Sequence, residues 1–190
     1  MLKAISFEDV RKIWNFNNFK AKFQLLGRKE ILKNVNGKFE ASKLTAIVGP
    51  SGSGKSTLLN ALSGFQRKGI RGNIKMNGQK IDEYQKHVVY IMQDNHLQPL
   101  LTVSESMNFA VKLKTGNSLN TFKKWKRICD ILEMFGLDDK ENELVGNLSG
   151  GQQKRLAIAL ELVDNPQVLF LDECTTGLDS SSSTQCIKML

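Results

Sequence analysis

Eight consecutive residues, Gly49-Pro50-Ser51-Gly52-Ser53-Gly54-Lys55-Ser56, fit the spacing G-x-x-x-x-G-K-[ST]. Glycines at these positions let backbone N–H groups turn inward around phosphate oxygens. The lysine reaches the outer phosphates of a nucleotide, and the hydroxyl after it can bind Mg²⁺. The apolar run Leu44-Thr45-Ala46-Ile47-Val48 predicts a buried strand ended by Gly49-Pro50, and the pattern from about Lys55 to Leu62 predicts a helix. A helix starting there aims the positive end of its dipole at the same anion. The chemistry is therefore nucleotide binding, with Lys55 and Ser56 as polar contacts and Thr57 closing the loop. A glycine-rich turn that binds nothing is the competing reading.

Two further stretches could serve the same chemistry. The apolar run Val168-Leu169-Phe170-Leu171 predicts a strand buried on both faces, and it ends in Asp172-Glu173. Carboxylates at the C-terminal end of such a strand sit where α/β sheets hold ligands. Asp172 suits Mg²⁺, usually through water, and Glu173 can accept a proton from water attacking a terminal phosphate. The run Leu148-Ser149-Gly150-Gly151-Gln152-Gln153-Lys154-Arg155 opens a predicted helix from Ser149 to about Val163. A serine and two glycines at a helix start offer a hydroxyl and free N–H groups to an anion; an ordinary N-cap with flexible glycines is the alternative.

The elements that must hold these residues alternate. Ile5 to Val10 and Phe19 to Gln24 read as strands, Asn77-Gly78 as a hairpin-type turn after Asn73-Ile74-Lys75-Met76, and Val88 to Met92 as a buried strand. Phe122, Trp125, Ile128, Leu132 and Phe135 recur at steps of three and four before Gly136, which predicts an amphipathic helix with a glycine stop. Its other face carries Lys123, Lys124, Lys126 and Arg127, read as a solvated face or a contact for acidic lipid or a partner. Strands alternating with helices give the class α/β. At 190 residues, with 41% hydrophobic and 24% charged residues, the chain has the composition of one globular domain, and no apolar run is long enough to cross a bilayer. The net charge of +8 favours anionic partners without choosing among them. Cys129, Cys174 and Cys186 show no metal-ligand spacing and read as reduced thiols.

Two phosphate sites on one small domain find their explanation in a resemblance. The motifs at 49–56, 148–155 and 168–173 resemble those of an ATP-binding cassette, the nucleotide-binding domain of ABC transporters, over nearly the whole chain. The resemblance implies a P-loop NTPase fold with a RecA-like core, an antiparallel β subdomain and a helical signature subdomain. It implies ATP and Mg²⁺ as cofactors, with Ser149, Gly150, Gly151 and Gln152 binding the γ-phosphate held by the loop of a second cassette. Gln93 matches the glutamine that contacts Mg²⁺ and the attacking water, and Asp179, in Gly177-Leu178-Asp179, matches the loop along the dimer interface. The catalytic set so implied is Lys55, Gln93 and Glu173, and the metal set Ser56, Gln93 and Asp172.

Three stretches narrow the resemblance to the G subfamily, half-transporters with the cassette N-terminal to the membrane domain: Leu101-Thr102-Val103-Ser104-Glu105, Leu156 to Val163, and Thr175-Thr176-Gly177-Leu178-Asp179-Ser180. Most other cassettes carry an Arg-Ala pair near 160 and 161. Within the subfamily the chain is similar to the sterol and lipid branch. The expected partners are a second cassette and a transmembrane domain, at the cytoplasmic face of a membrane, with no nucleic acid; Ser149 follows Lys55 too closely for the long coiled coil of repair-type cassettes. Some positions depart from the family pattern. Lys12 stands where an aromatic usually meets adenine, with Trp14 and Phe16 nearby, and Cys174 replaces a usual proline. No histidine occurs beyond His96, where the family's γ-phosphate histidine would follow. The expected organisation is one cassette over 1–190, incomplete at its C-terminus, with the helical subdomain at about 94–165 inserted within it. Its expected function is ATP hydrolysis coupled to transport, weak or absent in this chain alone. The alternatives are a nucleotide-binding module without turnover, and a soluble nucleic-acid-related ATPase of the same family.

Overall fold

The computed structural model describes residues 5–15, 28–76, 78–80, 88–93, 96–116, 118–173 and 184. The chain divides into two compact units, one of Met1–Tyr90 with Gln167–Phe170 and one of Ile91–Pro166 with Leu171–Leu190.

In the first unit, β1 (Ile5–Asn15) pairs antiparallel with β2 (Arg28–Phe39) on one side and with β3 (Ile70–Met76) on the other. The short β4 (Gln79–Lys80) closes a hairpin on β3, so the sheet order is β2-β1-β3-β4. Met76 lies opposite Gln79 across the turn, where Gly78 takes a φ of 83°, as a two-residue hairpin requires. The expected strand at Ile5 to Val10 is the first half of β1. The one expected at Phe19 to Gln24 lies outside the described residues.

No alternation announces β2, and its geometry says why. Val10 faces Val35 and Lys12 faces Leu32, so β2 spends one residue more than β1 between these pairs. Asn34 in that interval takes a φ of 53°, a bulge that shifts which face the side chains take. Helix α1 (Lys55–Leu62) then buries Ala61 and Leu62 with Leu32, Met76 and Phe170. Each large apolar side chain so buried contributes on the order of 1.5 to 3 kcal/mol.

The segment 44–48 departs from its expected buried strand. Leu44 is 76% and Val48 91% exposed, and the segment belongs to no strand. A buried strand needs neighbours to take its N–H and C=O groups. No strand among the described residues pairs with this segment. β5 (Val88–Ile91) and β6 (Val168–Leu171) do pair, in a two-stranded sheet. In β6 only Phe170 is fully buried, so burial on both faces holds for that residue and not for the whole strand.

Among the described residues of the second unit, three α-helices each carry a side-chain cap. Thr102 and Glu105 form a reciprocal capping box at α2 (Val103–Thr115), Asn120 caps α3 (Thr121–Met134), and Ser149 and Gln152 form a second box at α4 (Gly150–Leu162). Val103, Met107 and Val111 recur every fourth residue and face the core with Leu132, Phe135, Leu156, Ile158 and Val163. On α3 the expected stripe is corrected: Ile128, Ile131, Leu132 and Phe135 are buried, whereas Phe122 is 67% and Trp125 60% exposed. Each step of three residues falls about 60° short of a full turn, so two such steps carry Phe122 off the face of Ile128. Phe122 and Trp125 instead lie against each other, ring centroids 6.1 Å apart. Gly136, with φ 57°, follows the helix as predicted.

Glu161, one of the residues that set the G-subfamily pattern apart, has a visible job. Its carboxylate accepts a hydrogen bond from Lys114 at 2.5 Å, joining α4 to α2. Partly exposed pairs of this kind contribute at most about 1 kcal/mol, so the pair fixes register more than stability. Cys129 is a free thiol whose pKa is pushed up by burial and by the carboxylates of Glu141 and Asp130. Cys174, Cys186 and the loop containing Asp179 lie outside the described residues.

Candidate functional site

The loop at 49–57 belongs to the first unit and is shaped by glycines at two places. A Cβ at Gly49 would lie 2.9 Å from Ser53 Oγ. Gly54 is the N-cap of α1 with φ 94°, and a Cβ there would meet Leu32 Cδ2 at 3.3 Å, so only glycine allows both the turn and the approach to β2. The Lys55 ammonium folds back over the loop and donates to Gly49 O at 2.9 Å and Pro50 O at 3.0 Å. An ammonium has three donors, so one remains for an anion in front of the loop. Helix α1 also differs from α2, α3 and α4 in having no side-chain hydrogen bond at its N-cap. A helix start left without a side-chain cap is what an incoming phosphate would occupy.

In the second unit, the end of β5 gathers several of the expected residues. Asp172 N donates to Ile91 O at 3.0 Å, joining the end of β6 to the end of β5. Gln93, two residues further on, is exposed. Its carbonyl and that of Met92 both accept from Lys154 Nζ, each at 2.9 Å. Glu173 is exposed and takes a φ of 48°. The left-handed region costs a residue with a Cβ roughly 1 to 2 kcal/mol. Such strain collects where a side chain must be aimed.

Ser149 stands at the head of α4. Its Oγ accepts from Gln152 N at 3.3 Å, while Gln152 Oε1 accepts from Ser149 N at 2.8 Å. The hydroxyl is thus an N-cap, and its own proton is still available to donate. The approach to Ser149 is laced to the chain before α2. Val145 N bonds Leu101 O at 2.9 Å and Gly146 N bonds Pro99 O at 3.0 Å, and a Cβ at Gly146 would lie 3.1 Å from that carbonyl. Gln153 Nε2 donates to the Val145 and Leu148 carbonyls, tying α4 to the same approach.

The second unit therefore brings Gln93, Asp172 and the signature helix onto one stretch of backbone. Lys55, Ser56 and the rest of the phosphate loop belong to the other unit. Sequence reasoning passed over Lys154. The available signal was its place four residues before Ile158, a lysine on the buried stripe of α4.

A glycine-rich loop that runs into the uncapped N-terminus of α1 is the local form of a phosphate loop. Residues 32–176 match the family model described as ABC transporter. ABC transporter G family member 19 of Arabidopsis thaliana is 34% identical over all of this chain and 29% of its own length. G family member 6 of the same plant is 36% identical over 85% of this chain and 23% of its own. G family member 5 of Oryza sativa subsp. japonica is 34% identical over 88% and 22%. This chain belongs to the ABC transporter family, as a nucleotide-binding domain of its G subfamily. It spans about a quarter of the length of the curated relatives it matches. Family membership implies ATP binding and ATPase activity in general. No helix among the described residues is long and apolar enough to cross a membrane.

Proposed function

We propose that this chain binds Mg·ATP at residues 49–57 and hydrolyses it in a sandwich with a second cassette, driving transport by a G-subfamily half-transporter at the cytoplasmic face of a membrane. The observation that carries the reading is the phosphate loop itself. Two carbonyls hold Lys55 across the loop, one of its donors is left over, and α1 opens without a side-chain cap. These features suit the oxygens of a phosphate group. Ser56, Asp172 and Gln93 are the residues that would hold Mg²⁺, which when bound neutralises charge on the phosphate oxygens.

The chain's own groups then have separable tasks. Lys55 donates to the outer phosphates and withdraws charge from the oxygen that leaves. Glu173 takes the proton of the attacking water as its oxygen bonds to the γ-phosphorus and the bond to the leaving oxygen breaks. Gln93 orients that water, and in the partner cassette Ser149 donates its free proton to the γ-phosphate from the opposite side. Asp179 would line the interface, and the inserted helical subdomain is assigned to residues from about 94 to 165. Of the aromatic candidates for adenine, Trp14 lies on β1 and Phe16 outside the described residues.

The transported molecule we assign to the sterol and lipid class, on the likeness of the stretches 101–105, 156–163 and 175–180 to that branch. Full-length protein in vesicles is expected to hydrolyse ATP about twofold to tenfold faster when the vesicles contain sterol, the signature of a substrate that shifts a conformational step. Stimulation by non-lipid compounds alone would move the assignment out of this class. ATP binding without turnover in the full-length protein would favour a nucleotide-binding module instead.

A further inference from the structure

Lys154 is 3% exposed, one turn into α4. Taking an ammonium out of water is costly, and an apolar residue would serve packing at this place as Ile158 does one turn on. What an apolar residue cannot supply is the grip on two successive carbonyls, Met92 O and Gln93 O, from one nitrogen at 2.9 Å each. Those carbonyls belong to the two peptide planes that flank the Gln93 Cα. Because peptides are planar, fixing both planes fixes φ and ψ of Gln93 and hence the direction in which its side chain leaves the backbone. The preceding carbonyl, Ile91 O, is held by Asp172 N. The backbone of Gln93 is thus referenced on one side to the end of β6 and on the other to α4, all within one compact unit.

We propose that Lys154 is a positioning residue for ATP hydrolysis: it aims Gln93 and makes that aim follow helix α4, whose N-cap is Ser149. Because Lys154 sits on α4, the direction of Gln93 is referenced to the helix that Ser149 caps. The inference rests on the reading of Gln93 as a contact to the attacking water and Mg²⁺. It adds the link through which another part of the cassette controls that contact.

The test compares Lys154→Met, Gln93→Ala and the double variant in the full-length protein. Lys154→Met is expected to lower kcat by about 10- to 100-fold, the usual loss when a reacting group is displaced by about 1 Å. The Kd for ATP, measured by titration without turnover, should change less than about twofold, since that site lies on other residues. Hydrogen exchange in the nucleotide-free protein should rise at 91–93 and stay unchanged over α2 and α3. Adding Lys154→Met to Gln93→Ala should cost little more, because both remove one function. A kcat unchanged in Lys154→Met would overturn the proposal, and so would losses that multiply in the double variant while Gln93→Ala is itself slow; the reading of Gln93 would then stand. Full turnover in Gln93→Ala would instead remove that reading and this inference with it. Should Lys154→Met not fold, Lys154→Arg carries the test. The longer, planar guanidinium places its N–H groups differently from the ammonium and so re-aims both carbonyls; kcat should fall about 3- to 10-fold at constant ATP affinity, and an unchanged kcat would overturn the proposal.

Discussion

Glu173→Gln in the full-length protein is expected to lower ATP turnover by about 10² to 10⁴, the usual contribution of a positioned general base, while leaving ATP bound. The substitution keeps the shape and hydrogen-bonding reach of the side chain and removes its basicity. It also keeps the left-handed backbone at this position, φ 48°, so the strain there is common to both proteins. Stability should therefore change by less than about 0.5 kcal/mol, as for an exposed side chain away from the core. Single-turnover measurement with ATP in excess over its Kd separates chemistry from binding. Turnover within about tenfold of the parent would assign proton transfer to another group.

The second large effect concerns Ser149, where capping and ligand contact can be pulled apart. Ser149→Ala removes the cap and the hydroxyl together and costs about 1 kcal/mol of stability, so a loss of function there would be ambiguous. Ser149→Asp keeps an oxygen on the Gln152 N–H and sits well at the positive end of α4. It should fold as the parent does. Facing a γ-phosphate, however, the same carboxylate meets like charge, and juxtaposed like charges cost several kcal/mol, so ATP-dependent association of two cassettes should weaken by about 10²-fold or more. Analytical ultracentrifugation of a Glu173→Gln background, with and without ATP, reads this directly. Association undiminished in Ser149→Asp would place the γ-phosphate elsewhere.

What could be read ahead of the structure was whatever is encoded within a few residues. The phosphate loop was legible because its glycines, Lys55 and Ser56 act over eight positions, and α4 because Ser149 and Gln152 cap it locally. α3 was legible as a helix, but its buried face was not, because three-residue steps drift around the axis until Phe122 and Trp125 leave the core. β2 was hidden by the bulge at Asn34, which breaks the alternation from which strands are recognised. The run 44–48 shows the opposite error: apolar side chains suggested burial, but a strand exists only through partners. Lys154 was the hardest to see. Its place four residues before Ile158 hints at burial, but its partners are carbonyls some sixty residues earlier in the chain, which no local pattern names.

Nucleotide held by the loop at 49–57 is the step on which every other role depends. Isothermal titration of Mg·ATP into the full-length protein and its Lys55→Ala variant tests it. Loss of one charge-assisted contact of about 1.5 to 3 kcal/mol should weaken binding roughly 10- to 100-fold, whereas Lys124→Ala, on the helical unit, should bind as the parent does. Equal affinities in Lys55→Ala and the parent, or equal losses in the two lysine variants, would contradict it.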